Sequence, residues 1–229
     1  MRIGKKWRSF NLYMINHKKT VIFDLDGTLI DSFDDVFYSM NFALKECGFD
    51  ELNKEEIRQL IGPDLALSIT EKVNSPHFSY DDFIANYRKY YTKKNTIHTA
   101  LYPDVELVLK TLIDNDKQLA VLTNKSEDQS KQILSKLGVN HYFTMIAGPD
   151  TYNVAKPDPK GMVSLCDDLN VSCKDVVFIG DTEIDMITAQ KADLTSVAVT
   201  YGYRSRDELK TYSPNYFIDT LPELLDLHS

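Results

Sequence analysis

Strands and helices are predicted to alternate along most of this 229-residue chain, and no other feature constrains its fold as strongly. Apolar, β-branched runs are separated by segments that have the apolar spacing of amphipathic helices. Because βαβ units are right-handed and place their strands in parallel, they build a sheet that helices cover on both faces. The pattern therefore predicts an α/β fold with a doubly wound, mostly parallel sheet. The predicted strands are TVIFDL, QLAVLTN, YFTMIAG, VVFIGDT, TSVAVT and NYFID.

Residues 33–97 interrupt this alternation, because they contain helical patterns and no strand signal. We predict an all-helical domain inserted after the first strand of an α/β core. Ser32 with Asp35, and Ser126 with Gln129, have the spacing of capping boxes at the starts of two helices. The predicted core comprises residues 19–32 and 98–229, and residues 1–18 form a basic N-terminal tail. The inserted helices are predicted near residues 33–47, 53–60, 64–73 and 80–94.

The charge distribution excludes two classes of partner. Residues 1–20 carry six basic residues and no acid, which leaves 20 basic against 34 acidic residues in the remainder. An acidic body repels nucleic acid and anionic membrane surfaces, so we expect neither as a partner. No apolar run approaches the roughly 20 residues that a membrane span needs. The sequence leaves open whether the protein is a monomer or a homodimer.

Cysteine and histidine spacing bears on location and metal chemistry. The three cysteines form no CxxC pair, and none of the five histidines lies three to five residues from another. We therefore expect free thiols, a reducing, cytoplasmic location and no zinc site.

Three of the apolar runs end in residues that offer oxygen ligands. Asp24 and Asp26 end the first run, Thr123 and Asn124 end another, and Asp181 follows a third. Ligands of an open parallel sheet bind beyond the carboxyl ends of its strands. A metal shared by Asp24 and Asp181 requires neighbouring strands, which a switch in strand order provides. Hard oxygen ligands favour Mg²⁺ over zinc.

Each of these motifs, taken singly, also has a purely structural interpretation. DLDG can end a strand in a glycine turn, and Lys156 before Pro157 can be an exposed loop lysine. Thr182 and Asp185 have the spacing of a capping box. Tyr87, Tyr90 and Tyr91 lie at helical spacing, which favours packing over contact with a substrate.

Taken in order, DLDGTL, VLTN, KPDP and GDTEID resemble the four-part signature of the haloacid dehalogenase superfamily. The resemblance extends from residue 21 to about residue 220, and it implies a Rossmann-like core with the helical insertion as its cap. DLDGTLIDS, VLTNKS and VTYGYRS look most like the phosphoglycolate phosphatase group. The GYG stretch usual in that group is replaced here by Tyr201-Gly202-Tyr203-Arg204.

The resemblance implies a Mg²⁺-dependent phosphatase that works through an aspartyl-phosphate. Asp24 would be the nucleophile, and Asp26 would protonate the leaving group and then activate water. An acid at position 26 favours phosphoryl transfer, because the dehalogenases of the superfamily lack it. The remaining implied roles are Mg²⁺ ligation by Asp24, the Asp26 carbonyl and Asp181, phosphoryl binding by Thr123, Asn124 and Lys156, and orientation of Lys156 or a metal-bound water by Asp185.

The implied substrate is a small phosphate ester enclosed by the cap. The loop Ile61-Gly62-Pro63-Asp64 matches the position of a substrate-facing cap loop, and Gly62 is its candidate binding residue. Within the resemblance, 2-phosphoglycolate is the leading substrate, while β-phosphoglucomutase and inorganic pyrophosphatase activities remain open. An inactive phosphate-binding scaffold is the non-enzymatic alternative, and it would lack a catalytic residue that this sequence retains.

Overall fold

A computed structural model describes residues 17–62 and 65–226. The chain divides into two compact units, one formed by residues up to Leu29 together with Leu101 onward, the other by Ile30–Ala100. The second unit contains the predicted insertion 33–97 and extends three residues beyond it at each end. The predicted basic tail lies outside the described residues as far as residue 16.

The first unit, called the core unit here, is built on a parallel sheet, as predicted. Its described strands are β1 (Thr20–Phe23), β4 (Gln118–Leu122), β5 (Met145–Ala147), β6 (Val176–Gly180), β7 (Thr195–Val199) and β8 (Tyr216–Ile218), while β2 (Ile30–Asp31) and β3 (Ala100–Leu101) pair separately. Across the sheet the order is β5-β4-β1-β6-β7-β8, so β1 lies in the interior of the sheet. Every pair in this sheet is parallel.

Apolar residues drive the packing of helices onto this sheet. Every residue of β1 and of β6 is buried, as expected for strands covered on both faces. Ile22 and Phe178 from these strands pack with Met162 and Leu165 from one helix and Ala189 from another. The helices of the core unit are α5 (Val105–Asp114), α6 (Glu127–Lys136), α7 (Pro149–Tyr152), α8 (Pro159–Asp168), α9 (Glu183–Lys191), α10 (Arg206–Lys210) and α11 (Glu223–Asp226).

The second unit, called the inserted unit here, is helical between β2 at its start and Ala100 at its end. Tyr91 is buried and stacks on Tyr87 with ring centroids 5.3 Å apart, and Tyr90 stacks on Phe42 at 4.4 Å. The tyrosine stripe therefore packs within the unit. Among the described residues, no helix has the length and apolar character needed to cross a membrane. The helices are α1 (Phe33–Glu46), α2 (Lys54–Leu60), α3 (Leu65–Val73) and α4 (Tyr80–Lys94).

Two predicted capping boxes are wrong. Within the described residues, neither Ser32 nor Ser126 makes a side-chain capping bond to the helix that follows it. The buried Asp35 carboxylate instead accepts hydrogen bonds from the backbone N–H of His98 at 3.1 Å and of Thr99 at 2.9 Å, and from the Thr99 hydroxyl at 2.6 Å. A short sequence pattern does not show that a distant segment competes for the same carboxylate. Asp35 therefore ties α1 to the end of the inserted unit.

Replacing Asp35 by Ala should lower the free energy of unfolding by about 3 kcal/mol, because the buried Thr99 donors and the partly buried His98 N–H lose their acceptor. Chemical denaturation of the full chain measures the loss. Asp34→Ala is the matched control, since Asp34 is 41% exposed and pairs with the exposed Lys54. We expect the control to cost less than about 1 kcal/mol. Equal losses for the two variants would contradict a special role for Asp35.

Candidate active site

The order of the strands brings the predicted acidic residues together. β1 lies between β4 and β6, so the chain moves to opposite sides of β1 at this point in the sheet. The register pairs Phe23 with Val121 on one side and with Ile179 on the other. The Asp24 N–H donates to the Ile179 carbonyl at 2.8 Å. Asp24 and Asp181 thus follow neighbouring strands, as a shared metal requires.

Three buried carboxylates form the centre of the site. Oxygen atoms of Asp24, Asp181 and Asp185 lie within 4.8 Å of one another. Asp185 is in the first turn of α9, where the predicted capping box is present. Its Oδ2 accepts from the Thr182 N–H at 3.0 Å and from the Thr182 hydroxyl at 2.7 Å. The helix start therefore fixes the orientation of Asp185 and leaves its other oxygen to face the cluster.

Lys156 joins two of these carboxylates. Its Nζ lies 2.6 Å from Asp24 Oδ1 and 2.6 Å from Asp185 Oδ1, and the residue is only 7% exposed. The Asn124 side chain holds the lysine backbone, since it accepts from the Lys156 N–H at 2.8 Å and donates to its carbonyl at 3.0 Å. The Asn124 side chain is therefore committed to Lys156, and a role in binding substrate rests on its backbone amide.

The cluster carries more negative charge than Lys156 balances. Burial raises the pKa of Asp24 to about 7, with Lys156 opposing the rise and Asp185 adding to it. Burial and the neighbouring Asp24 and Asp185 raise the pKa of Asp181 well above its ordinary value. Burial works against the charged form of Lys156, but Asp185 and Asp24 raise its pKa nonetheless. Three buried oxygen-ligand groups with excess negative charge fit a hard divalent cation.

Asp181 is enclosed by backbone, which sequence reasoning did not predict. The Tyr203 N–H donates to Asp181 Oδ2 at 2.7 Å, and the Thr28 hydroxyl donates to Oδ1 at 3.2 Å. A Cβ on Gly27, whose φ is +84°, would lie 2.1 Å from Asp181 Oδ2, and one on Gly202 would lie 2.4 Å from it. Side chains at these two positions would displace the carboxylate. The glycine in the YGYR stretch was the one sequence signal available for this close approach.

Asp26 and Thr123 are connected through a lysine that the predicted site did not include. Lys125 forms an ion pair with the Asp26 carboxylate, and its backbone N–H donates to Thr123 Oγ1 at 3.1 Å. Thr123 is buried and directly follows β4. Lys125 is part of the VLTNKS motif, so its membership of that motif was the sequence signal that could have placed it at the site.

The predicted cap loop is only partly described. Ile61 and Gly62 follow α2 in the inserted unit and are both half-buried. Pro63 and Asp64 lie outside the described residues. Binding of substrate by Gly62 remains a prediction.

Comparison with known proteins gives consistent matches along the chain. Residues 21–199 match the family model of the haloacid dehalogenase-like hydrolases. The chain is 30% identical over 209 residues to a phosphoglycolate phosphatase of Aquifex aeolicus, covering 91% of this chain and 96% of that protein. It is 31% identical to one of Colwellia psychrerythraea, covering 92% and 97%. A crystal structure of a predicted phosphoglycolate phosphatase from Haemophilus somnus has a TM-score of 0.86 at 27% identity, covering 93% and 99%.

Proposed function

The chain belongs to the haloacid dehalogenase-like hydrolase family, and on that premise we propose that it is a Mg²⁺-dependent phosphatase of a small phosphate ester. The observation that carries the proposal is the environment of Asp24. This carboxylate follows the central strand, contacts Lys156 at 2.6 Å and lies within 4.8 Å of two further carboxylates. The likeness to phosphoglycolate phosphatases over more than nine-tenths of the chain supports 2-phosphoglycolate as the substrate.

The reaction has two displacements at phosphorus. An Asp24 oxygen attacks the phosphorus, the bond from phosphorus to the leaving oxygen breaks, and an aspartyl-phosphate forms. The Asp26 carboxyl gives its proton to the leaving alkoxide. Asp26 then takes a proton from a water that attacks the aspartyl-phosphate, which releases phosphate and restores Asp24.

Two further residues prepare the site for the phosphoryl group. The Lys156 ammonium lies beside Asp24, where it offsets the negative charge of an incoming phosphate. The Thr123 hydroxyl oxygen already accepts a bond from the Lys125 N–H, so its own proton is available to donate to a phosphoryl oxygen.

Asp24, Asp181 and the Asp26 carbonyl are the groups that we assign to Mg²⁺. Bound Mg²⁺ would neutralise charge on the phosphoryl group and on the carboxylates. Asp185 contacts Lys156 and Thr182, so we assign it the orientation of Lys156. The excess of buried carboxylate charge over the single ammonium of Lys156 supports this ligand set.

A panel of phosphate compounds tests the substrate. The purified full chain with Mg²⁺ is assayed for phosphate release from 2-phosphoglycolate, β-glucose 1-phosphate, pyrophosphate and a phosphopeptide. We expect the highest kcat/KM for 2-phosphoglycolate and little turnover of the phosphopeptide. The highest value for pyrophosphate, or isomerisation of the sugar phosphate without release, would replace the proposal by one of its alternatives.

The role of Asp26 is tested by the leaving group. Asp26→Asn should lower kcat for 2-phosphoglycolate by about 10²–10⁴-fold, because its alkoxide leaves poorly without a proton. Hydrolysis of p-nitrophenyl phosphate should fall far less, since nitrophenolate needs no proton to leave. Steady-state rates on both substrates measure the difference. Equal losses would argue against Asp26 as the general acid.

A further inference from the structure

Lys125 is a nearly buried cation placed against the proposed general acid. Its side chain is 8% exposed, and its ammonium pairs with Asp26, whose side chain is 21% exposed. The two residues are 99 positions apart in the chain, so the contact depends on the fold. A charged group that has lost most of its water is unfavourable unless it is paired. The carboxylate of Asp26 therefore stabilises Lys125 in this position, and Lys125 in turn holds that carboxylate.

The backbone that carries Lys125 is held on two sides. Its N–H donates to Thr123 Oγ1 at 3.1 Å. Its carbonyl oxygen lies 2.5 Å from the point that a Cβ on Gly148 would occupy, so only a glycine allows this approach. Two residues further along the chain, the Glu127 N–H donates to Asp150 Oδ1 at 2.9 Å. The turn between β4 and α6 is thus packed against the start of α7. This packing fixes the backbone position from which the Lys125 side chain extends.

We propose that Lys125 is a positioning residue that holds the Asp26 carboxylate for both of its proton transfers. The proposal rests on the proposed function, because only there does Asp26 exchange a proton with a leaving group. The same carboxyl group must face the leaving alkoxide when it gives its proton and the attacking water when it takes one, and the ion pair with the Lys125 ammonium fixes its orientation for both. When water is activated, the proton returns to Asp26.

Lys125 acts through Asp26 and does not bind the phosphoryl group. That function is assigned to Thr123 and Lys156, of which Lys156 contacts the nucleophile directly. The fall in kcat when Lys125 is replaced should therefore depend on how strongly the leaving group needs a proton. A lysine that merely stabilised the fold, or that bound a substrate anion, would not give this dependence.

Lys125→Met tests the proposal, with p-nitrophenyl phosphate and the best alkyl phosphate of the panel as substrates. We expect kcat for the alkyl phosphate to fall about 10–100-fold at nearly unchanged KM, as for a misplaced catalytic group. For p-nitrophenyl phosphate the fall should be less than about threefold, and Lys125→Arg should recover part of the alkyl phosphate activity. Lys210→Met is the matched control, because it removes an exposed lysine–aspartate pair.

A double variant separates positioning from other roles. In the Asp26→Asn background, Lys125→Met should cause no further loss, since both changes act at one step. Equal losses on the two substrates, a further loss in that background, or a raised KM with kcat retained would each overturn the proposal. Thermal unfolding shows whether each variant is folded. If Lys125→Met does not fold, the comparison of the two substrates is made with Lys125→Arg. Failure of the proposed function is seen separately, as turnover that survives Asp24→Asn.

Discussion

Replacing Asp24 by Asn should reduce turnover of every phosphomonoester to background, a loss on the order of 10⁴–10⁶-fold. The amide is a poor nucleophile, so no acyl phosphate can form. Steady-state assays measure the rate. Acid quenching of the wild-type protein during turnover should trap a phosphoenzyme that is stable in acid and labile in base, and the variant should trap none.

The same variant should remain folded. Burial raises the pKa of Asp24 to about 7, and an uncharged amide at this position removes a carboxylate charge that the site does not favour. We expect its metal-free melting temperature to be no lower than that of the wild type. Asp207→Asn serves as a control, since Asp207 is exposed and pairs with Lys210. Activity within tenfold of wild type would exclude Asp24 as the nucleophile.

From the proposed Mg²⁺ dependence we expect chelation of divalent cations to have the second largest effect. Treatment with EDTA should abolish activity, and added Mg²⁺ or Mn²⁺ should restore it. Ca²⁺ should inhibit, because it accepts more ligands at longer distances and disturbs the in-line arrangement. Full activity in exhaustively metal-free buffer would contradict the Mg²⁺-dependent mechanism.

The metal-free protein should also lose stability as the pH rises. The folded protein binds more protons than the unfolded chain between the ordinary Asp24 pKa of 3.8 and about 7, so the free energy of unfolding decreases across that interval. The stability that protonated Asp24 contributes is therefore fully present below the Asp24 pKa of the unfolded chain, and it is lost as the pH rises to about 7. Melting temperatures in EDTA should fall between pH 5 and pH 8, and Mg²⁺ should raise them more at pH 8. Asp24→Asn is the control, and it should show a shallower decline.

Local patterns in the sequence determined the elements of this fold and the polar residues that stand at their ends. The helix predicted at residues 80–94 is Tyr80–Lys94, and the capping box of Thr182 and Asp185 begins α9 as expected. Apolar periodicity and capping depend on residues a few positions apart, so the sequence alone contains this information. The strand-end position of Asp24 and Asp181 likewise follows from the apolar runs before them.

Only the tertiary structure decided which distant groups these side chains meet. Asp35 has the spacing of a capping residue, yet its carboxylate binds the backbone of His98 and Thr99. Lys125 lies in a predicted motif, but its pairing with Asp26 required β1 and β4 to be neighbours. Such contacts join segments that are far apart in the chain, and several partners satisfy the same local pattern. The free energy of the whole packed core selects among them, which is why no short window of sequence contains the answer.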